Sequence, residues 1–337
     1  MIMNVVWSTS DSYAEIAAVS IISLLENCKD IDVINVYVID MGISNEHKCW
    51  IEEIIKTYNR NMFWLEQLNI EQLAGVHIDV GRWHISTFSR LFLSRVLPDC
   101  VKKVIYIDCD MIIRHSLKEL WEMDMDDYWV MSADDCRGER YRDNIGIDRK
   151  SIYTNNGLMV INLEAWKKND VEKMFVEFIK KYNGDITYMD QGVLNGVFQP
   201  LKKVKLLPIS YNSQTICYDL GYKGIEACRK PVWAYTEEEF KKGIEDPIVV
   251  HFTTCFMSGT RPWFKNDKHI YREEFLKYRS MTNWNNASLW EDNTKFLKKV
   301  MTKVCNIMPK SLTFFLIKIF HSCVYPLIRN MKNGVRS

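Results

Sequence analysis

The chain is short of net charge and of paired cysteines. Its 44 Lys and Arg residues nearly equal its 43 Asp and Glu residues, which leaves a net charge of +1 at pH 7. Nucleic-acid binders usually carry a strongly basic surface, so this balance predicts no nucleic-acid partner. The ten cysteines are scattered, and none forms a C-x-x-C pair or shows zinc-site spacing. We therefore predict reduced thiols in a cytosolic protein.

Several motifs and targeting segments are also absent. Neither G-x-G-x-x-G nor G-x-x-x-x-G-K-S/T occurs, so a dinucleotide fingerprint and a P-loop are not supported. The first seven residues show no basic region or long apolar run, and no stretch has 18 uninterrupted apolar residues. We expect no signal peptide and no transmembrane helix. With 47% apolar residues in a chain of 337, one large domain, alone or with an appendage, is expected.

The first part of the chain alternates between two kinds of pattern. Apolar runs at 3–8, 32–40 and 62–65 indicate strands, and helical periodicity lies between them. Ser12-x-x-Glu15 has the form of a capping box. This β-α-β-α-β order predicts an α/β protein with a mostly parallel central sheet flanked by helices, a Rossmann-like nucleotide-binding half. Backbone N–H groups at the start of the first helix favour an anionic ligand.

The stretch Lys103–Asp110 (KVIYIDCD) is the centre of the prediction. Its apolar run indicates a buried strand, and ligands of open α/β sheets bind outside the carboxyl ends of the strands. Asp108 and Asp110 follow that strand one residue apart, so both carboxylates can face one cation. Oxygen ligands of this kind suit Mg²⁺ or Mn²⁺. The alternative is that D-x-D merely ends a strand and begins a turn.

Further elements are predicted along the rest of the chain. They are a helix at 86–97, strands at 128–133 and 153–162, a helix at 171–182, a short helix from Met189, and strands at 202–207 and 248–252. Residues 137–150 and 208–243 are predicted to be loops. Asp190 could simply cap its helix, and Arg90 could lie on a solvated helix face.

The C-terminal tail, residues 295–337, differs in kind. It contains nine Lys or Arg residues and no acid. From Ser311 onward, large apolar residues recur at helical spacing. Apolar residues with exclusively positive charge favour an interfacial helix on an anionic membrane, and the alternative is a helix packed on the main domain. If the tail serves to attach the protein to a membrane, activity on a soluble substrate should largely not depend on it.

Five blocks of sequence in a fixed order carry a resemblance to a known family. They are Ser86–Leu93, Lys103–Met111, Asn155–Leu163, Asp190–Asn195, and His251-Phe252 with Arg261-Pro262-Trp263. Together they resemble glycosyltransferase family 8 over about residues 3–263. That family holds retaining enzymes, including bacterial lipopolysaccharide and capsule galactosyl- and glucosyltransferases and, more distantly, glycogenin.

The resemblance implies a GT-A fold that binds a UDP-sugar with Mn²⁺, with Mg²⁺ as an alternative. The implied metal ligands are Asp108, Asp110 and His251. The residues implied to bind the donor nucleotide are Ser8, Thr9, Tyr13, Arg90, Asp108, Cys109 and Asp110. Those implied to surround the donor sugar are Asp135, Asn155, Asp190 and Gln191, and those implied to bind the diphosphate are Gly259 and Arg261.

Two positions depart from the family pattern. Ser10, followed by Asp11, stands where an acid is common, and Arg261 stands where Lys is common. Gln191 and Asp190 are the implied catalytic residues. An amide is a poor nucleophile, so front-face transfer is favoured over double displacement, with Gln191 stabilising oxocarbenium-like charge and Asp190 orienting the sugar.

The sequence thus predicts a UDP-sugar-dependent hexosyltransferase of bacterial surface polysaccharide synthesis, using galactose or glucose and a glycan or lipid-linked glycan acceptor. The predicted catalytic domain is 1–265, with a nucleotide-sugar half at about 1–135 and an acceptor half at about 136–265. Residues 266–337 form a helical, basic extension, and the protein is expected in the cytoplasm, peripheral on the inner face of the plasma membrane. The alternatives are a haloacid dehalogenase-type phosphatase, which also uses D-x-D, and a non-catalytic donor-binding protein on the same fold.

Overall fold

The structure is a computed structural model that describes residues 1–78, 85–257 and 260–332. Its strands are β1 Ile2–Thr9, β2 Val33–Asp40, β3 Asn61–Leu65, β4 Lys103–Ile107, β5 Met111–Ile113, β6 Val130–Asp134, β7 Thr154–Asn162, β8 Val204–Leu207, β9 Ser213–Gln214 and β10 Val249–His251. Its α-helices are α1 Ala14–Asn27, α2 Asn45–Thr57, α3 Ile70–Ala74, α4 Leu93–Val96, α5 Lys118–Glu122, α6 Arg140–Asp143, α7 Leu163–Lys168, α8 Val171–Lys181, α9 Met189–Phe198, α10 Thr215–Arg229, α11 Glu237–Glu245, α12 Arg272–Arg279, α13 Phe296–Ile307, α14 Lys310–Ile317 and α15 Tyr325–Lys332. Turns of 3-10 helix span Asp11–Tyr13, Ile85–Phe92 and Ile209–Tyr211, and Lys318–Val324 form a π-helix.

A large sheet with the strand order β3-β2-β1-β4-β7-β6-β8 forms the centre of the molecule. The neighbours β1–β2, β2–β3, β1–β4 and β6–β8 are parallel, while β7 runs antiparallel to β4 and β6. Apolar clusters cover both faces of this sheet, as the continuous apolar runs predict. The prediction of a mostly parallel central sheet flanked by helices is confirmed.

The strand order brings three chain segments to one edge of the sheet. The carboxyl ends of β1 and β4 meet there because the two strands are parallel. Since β7 is antiparallel to β4, its amino end lies at the same edge, and Ile107 pairs with Leu158. The Asp108 N–H donates to the Gly157 carbonyl over 2.7 Å. Polar residues after β4 and before β7 are therefore neighbours.

A small sheet with the order β5-β10-β9 adds a further segment, which carries His251. Asp108-Cys109-Asp110 connects β4 of the large sheet to β5 of the small one. Because β10 runs antiparallel to β5, His251 pairs with Met111, and the Phe252 N–H donates to the Asp110 carbonyl over 2.9 Å. This register places His251 beside the two carboxylates, although about 140 residues of chain separate them.

Two predictions near the sheet were wrong. The Ser12-x-x-Glu15 capping box does not form, because Ser12 pairs with the Ser10 hydroxyl and Glu15 makes a buried ion pair with Arg279. The helix predicted at 86–97 is mostly 3-10 helix, and α4 supplies only its last turn. The Thr87 carbonyl there accepts a hydrogen bond from the Arg90 side chain.

The two predicted loops were wrong in part. Residues 208–243 contain α10 and much of α11, and residues 137–150 contain the short α6. Gly221, whose φ is +63°, kinks α10 and interrupts its apolar period. The start of α11 carries three consecutive Glu residues and a Thr236–Glu239 capping box, so its sequence shows little apolar periodicity.

Residues just beyond 265 pack on the first helix of the sheet. Phe275 and Tyr278 of α12 are buried against the same apolar cluster as α1. The Arg279 guanidinium donates to Glu15 and to the Ala287 carbonyl, and Trp290 Nε1 donates to Glu15 over 2.9 Å. These contacts make α12 and the following loop part of the packed body.

The described part of the C-terminal tail lies against α10 and α6. The Ser322 hydroxyl donates to the Cys228 carbonyl over 3.0 Å, and Asn144 Nδ2 donates to the Pro326 carbonyl over 3.0 Å. Many of its large apolar side chains nevertheless face solvent: Phe296 is 82%, Ile307 74% and Met331 81% exposed. The tail therefore packs on the main domain through one face and keeps an apolar face outside.

One stretch of the tail, Lys310–Arg329, is a continuous helix long and apolar enough to cross a membrane by length and composition alone. Only 11% of its most apolar window is buried. The expectation of no such helix rested on uninterrupted apolar runs, and Lys318 interrupts this one.

Candidate active site

A cavity of about 730 Å³ opens at the edge of the sheet where these segments meet. Most of the predicted site residues line it. They are Ser8, Thr9, Tyr13, Arg90, Asp108, Cys109, Asp110, Asn155, Asp190, Gln191, His251 and Arg261. Asp135 lies directly behind this lining, fully buried. Gly259 falls outside the described residues.

Asp108, Asp110 and His251 form a compact ligand set. One carboxylate oxygen from each Asp and one imidazole nitrogen all lie within 4.8 Å of one another. His251 Nε2 is 3.2 Å from Asp110 Oδ1, and Arg261 Nη1 is 3.2 Å from Asp110 Oδ2. Burial opposes ionisation of Asp110, but His251 and Arg261 outweigh it and lower its pKa to about 2. Asp110 is therefore held as a carboxylate, the form a divalent cation needs.

The orientation of His251 is fixed from behind by Asn212. His251 Nδ1 lies 2.9 Å from Asn212 Oδ1, and Asn212 Nδ2 donates to Asn155 Oδ1 over 2.8 Å. Since the amide nitrogen is used there, the oxygen faces the imidazole and accepts from Nδ1–H. Nε2 is then the nitrogen that faces the carboxylates, and it would be the ligand atom for a cation bound between them. Sequence reasoning missed Asn212, which follows an ordinary apolar segment with no motif around it.

Gly157 makes room for the same imidazole. A Cβ at Gly157 would lie 2.5 Å from His251 Cε1 and 2.6 Å from Met111 Cε. Contacts this short are excluded, so a side chain at this position would displace the histidine. This close approach gives the glycine of the Asn155-Asn-Gly157 block a physical role.

Arg90 is a buried cation held between two carboxylates. Its Nη2 is 2.8 Å from Asp108 Oδ1, and its Nε is 3.1 Å from Asp190 Oδ2. Burial disfavours its charge, but Asp108 and Asp190 outweigh that effect and raise the pKa of Arg90. The alternative of a solvated helix face is wrong. The N-cap residue of α9 is Tyr188, so the alternative in which Asp190 caps this helix is also wrong.

Gln191 is held by a network of buried polar groups. Its Nε2 donates to Asp135 Oδ2 over 3.0 Å, and its Oε1 accepts from Asn155 Nδ2 over 3.3 Å. Asp135 also accepts from Asn155 and pairs with Arg137. Burial raises the pKa of Asp135, but Arg137 and Arg229 outweigh it, so the net shift is downward. The amide is thus fixed at both ends by groups that cannot rotate independently.

Comparison with known proteins identifies this arrangement. The model of the family "Glycosyl transferase family 8" matches residues 4–267, which is more than three quarters of the chain. The chain belongs to glycosyltransferase family 8.

Its relatives support the same assignment. General stress protein A of Bacillus subtilis is 28% identical over 290 residues, covering 84% of this chain and 95% of the relative. A putative glycosyltransferase of Haemophilus influenzae is 31% identical over 232 residues, covering 68% of each chain. The galactosyltransferase LgtC, solved in complex with donor and acceptor sugar analogues, has a TM-score of 0.70 and 25% identity, covering 84% of this chain and 99% of LgtC. This glycosyltransferase has the predicted GT-A fold. Because the chain belongs to family 8, the phosphatase alternative is wrong.

The backbone just before Asp190 of this glycosyltransferase is strained. Tyr188 has a φ of +61° and Met189 a φ of +55°, a left-handed conformation that side chains rarely adopt. Two such residues in succession cost of order 1–3 kcal/mol each. These two residues directly precede Asp190 and Gln191, which both line the cavity.

The opposite side of the cavity is aromatic and cationic. The Tyr13 hydroxyl accepts from Arg261 Nη1 over 2.9 Å, and Trp263 and Trp290 pack edge-on against the Tyr13 ring. Two buried atoms here, Ser8 Oγ and Arg261 Nε, have no hydrogen-bond partner among the described residues. Buried donors without partners mark the place where a polar ligand is expected.

Ser10 and Asp11 of the first loop face different surroundings. Ser10 lines the cavity, whereas Asp11 accepts from the Ser44 N–H over 2.8 Å and contacts His47 over 2.7 Å. Asp11 is thus occupied by the start of α2. Ser10 is the member of this pair that faces the cavity.

Proposed function

We propose that this glycosyltransferase moves galactose or glucose from a UDP-sugar to a hydroxyl of a glycan or lipid-linked glycan, with retention of configuration. The setting proposed is the synthesis of bacterial surface polysaccharide. One observation carries the proposal. A single cavity holds a three-ligand cation site, the guanidinium of Arg261, which can bind phosphate, and the fixed Gln191 amide beside a carboxylate. Family membership supports the reaction class, and the described residues supply the parts it needs.

The ligand set fits Mn²⁺, and Mg²⁺ is also compatible. Asp108, Asp110 and His251 would hold the ion, and two carboxylates with one imidazole are a ligand type that Mn²⁺ accepts. When bound, the cation would neutralise negative charge on the leaving diphosphate. The orientation of His251, with Nδ1 at Asn212 and Nε2 toward Asp110, supports this role.

The donor nucleotide is assigned to the Tyr13 side of the cavity. Ser8 and Thr9 offer polar groups at the carboxyl end of β1, and Cys109 Sγ approaches the Ser8 carbonyl at 3.3 Å. Arg261, with Nε unpartnered, is placed to donate to the diphosphate as a two-pronged group. Gly259 remains part of the proposed diphosphate loop on the basis of the family resemblance.

The donor sugar is assigned to the side formed by Asp135, Asn155, Asp190 and Gln191. Burial raises the pKa of Asp190 to about 6, against the opposing influence of Arg90, so it is mostly ionised at neutral pH. We assign it to orient sugar hydroxyls as an acceptor. Gln191, held by Asp135 and Asn155, presents its amide to the anomeric region, where a fixed dipole stabilises developing positive charge.

The retaining route we favour is transfer on one face of the sugar. An amide is a poor nucleophile, and the neighbouring carboxylate of Asp190 is engaged by Arg90 at 3.1 Å. Gln191 and Asp190 are therefore better suited to positioning the sugar and stabilising charge than to forming a covalent sugar intermediate. The proton of the acceptor hydroxyl would pass to the leaving diphosphate.

The tail is assigned to an anionic membrane surface, which places the enzyme on the inner face of the plasma membrane. Its exposed Phe, Leu and Ile side chains and its lack of acids support this assignment. The catalytic domain is proposed to span about 1–265, with a nucleotide-sugar half at 1–135 and an acceptor half at 136–265. The α12 segment packs on α1 and is best counted with the catalytic body.

The test is release of UDP from UDP-galactose and UDP-glucose, measured with and without Mn²⁺. We expect slow metal-dependent hydrolysis of one donor in preference to the other. Asp110→Ala should abolish it with unchanged circular dichroism, and Asp99→Ala, which alters a fully exposed carboxylate, should not. No UDP release from any UDP-sugar would favour the non-catalytic alternative and overturn the proposal.

A further inference from the structure

The cavity extends beyond the donor site to the C-terminal tail. Lys298 of α13 and His321 of the π-helix line the same cavity as Asp110 and Gln191. Tail residues therefore face the reaction space, which an element used only for membrane attachment does not require.

The tail is held in this place by specific contacts. The Tyr141 hydroxyl donates to the His321 carbonyl over 2.7 Å and lies 2.8 Å from His321 Nδ1. The Ser322 hydroxyl donates to the Cys228 carbonyl, next to Arg229. His321 and Ser322 belong to the π-helix Lys318–Val324, and such irregular turns are frequent at functional sites.

The charges along the cavity are unequal. Five Lys or Arg residues line it, at positions 90, 137, 229, 261 and 298, against three carboxylates at 108, 110 and 190 and a fourth, Asp135, directly behind the lining. Arg90, Arg261 and Arg137 are paired with Asp108, Asp110 and Asp135. Within the described residues, Arg229 donates to the Asp135 carbonyl over 3.2 Å and acts on the Asp135 carboxylate without forming an ion pair with it, and Lys298 has no carboxylate partner. These two cations lie on the tail side.

The bound donor would not neutralise this excess of positive charge. The two charges of a divalent cation balance the two negative charges of a nucleotide-sugar diphosphate, so the donor complex is close to neutral. Arg229 and Lys298 remain for a second ligand. An excess of positive charge on the wall of a cavity favours an anionic ligand.

We propose that the tail forms one side of the acceptor site, where Lys298 and Arg229, beside His321, select an acceptor that carries a phosphate or diphosphate group. This rests on the proposed glycosyltransfer reaction and names its acceptor class. The phosphate belongs either to a phosphorylated sugar or to the diphosphate of a lipid carrier. The exposed apolar faces of the same helices are compatible with either source at a membrane surface.

The experiment is calorimetric titration of the full-length protein preloaded with UDP and Mn²⁺, so that the donor site is filled. Methyl β-galactoside, its 6-phosphate, and farnesyl diphosphate in detergent are the three probes. We expect at least one phosphorylated probe to bind at least tenfold more tightly than methyl β-galactoside, and the better of the two identifies the source of the phosphate. Equal affinities, or no binding by any probe, would overturn the proposal.

Matched variants assign the effect to the cavity. Lys298→Glu and Arg229→Gln should each remove most of the preference and leave UDP affinity unchanged. Lys303→Glu is the control: it makes the same charge change on the same exposed helix, and Lys303 does not line the cavity. If Lys303→Glu reduces the preference as much as Lys298→Glu, general charge attraction explains it and the proposal is wrong. Failure of UDP to bind at all would instead show that the proposed function itself is wrong.

Discussion

Asn212 Oδ1 accepts a hydrogen bond from His251 Nδ1 over 2.9 Å and thereby sets which imidazole nitrogen faces Asp108 and Asp110. The same amide donates to Asn155, which contacts Gln191. The proposed cation site and the proposed catalytic amide therefore share one chain of hydrogen bonds.

Asn212→Ala should weaken Mn²⁺ binding by about 10–100-fold, because partners behind a metal-binding histidine fix its tautomer and orientation. The measurement is UDP release from the preferred UDP-sugar as a function of Mn²⁺ concentration. Asn169→Ala, which removes an amide bonded to the Ala165 carbonyl far from the cavity, is the control. An unchanged Mn²⁺ requirement in Asn212→Ala would contradict the role given to this residue.

Gly157→Ala should disable the cation site by steric displacement. The added methyl would meet His251 Cε1 at 2.5 Å and Met111 Cε at 2.6 Å, and overpacking of this kind costs about 1–3 kcal/mol. We expect lower thermal stability and a large loss of Mn²⁺-stimulated UDP release, measured on the same preparation. A variant with wild-type Mn²⁺ dependence would show that the imidazole is free to move and is not a ligand.

Gln191→Ala should lower turnover by about 10²-fold and leave the KM for the donor nearly unchanged, because the amide is assigned to stabilise charge that develops only during transfer. Steady-state kinetics of UDP release separates the two parameters. Gln199→Ala, at the C-cap of the same helix, removes an amide that donates to Asn195 over 3.4 Å and should behave as wild type. A rise in KM with constant kcat would reassign Gln191 to ground-state binding.

Activity should fall as the pH drops through about 6. Burial raises the pKa of Asp190 to about 6, so the carboxylate is charged above this pH and neutral below it. The neutral form loses the ion pair with Arg90 and one acceptor for the sugar. A pH profile of UDP release should show this acidic limb in the wild type, and Asp190→Asn should be less active and nearly flat from about pH 5 to 7.

The effect of Asp190 titration on folding stability is opposite to its effect on activity. A carboxyl whose folded-state pKa lies above its ordinary value binds a proton more tightly when folded, so its contribution to stability is present below about pH 4 and is lost as the pH rises through about 6. Asp190→Asn should therefore lose less stability than the wild type between these values. Parallel losses in chemical denaturation would contradict the raised pKa.

The tail should bind anionic membranes through its exposed apolar face. Flotation of the full-length protein with phosphatidylglycerol vesicles, and not with phosphatidylcholine vesicles, is the expected result. Replacing the exposed Phe315 and Phe320 by Ser should abolish flotation, whereas Ile270→Ser, which alters an exposed apolar residue elsewhere, should not.

Because tail residues also line the cavity, deletion of 305–337 should reduce transfer to any acceptor. Full activity of the truncated protein on a soluble acceptor would restore the simpler anchoring prediction.

The site residues that could be predicted from the sequence are those whose positions follow from the local pattern and from the end of a strand. Asp108 and Asp110 follow a continuous apolar strand, and the carboxyl end of such a strand is where ligands bind. His251 was reached only through family resemblance, because its position depends on the pairing of β5 with β10. Asn212 had no signal of either kind.

The errors arose where distant partners override local patterns. Glu15 has the correct spacing to cap α1, but Arg279, 264 residues away, takes its carboxylate. Residues 208–243 contain helices whose apolar period is broken by Gly221 or obscured by charge. Local pattern gave no information on the tail's contacts with α10, since those depend on the assembled surface.

Asn155 restricts how this enzyme could acquire a different donor. Its Oδ1 accepts from both Gly157 and Asn212, and its Nδ2 reaches both Asp135 and Gln191. A substitution there changes the cation side and the sugar side together, so single changes at these positions should show strong non-additivity in double-mutant cycles. Divergence in sugar specificity would then require paired replacements, and intermediates with only one replacement would be poorly active.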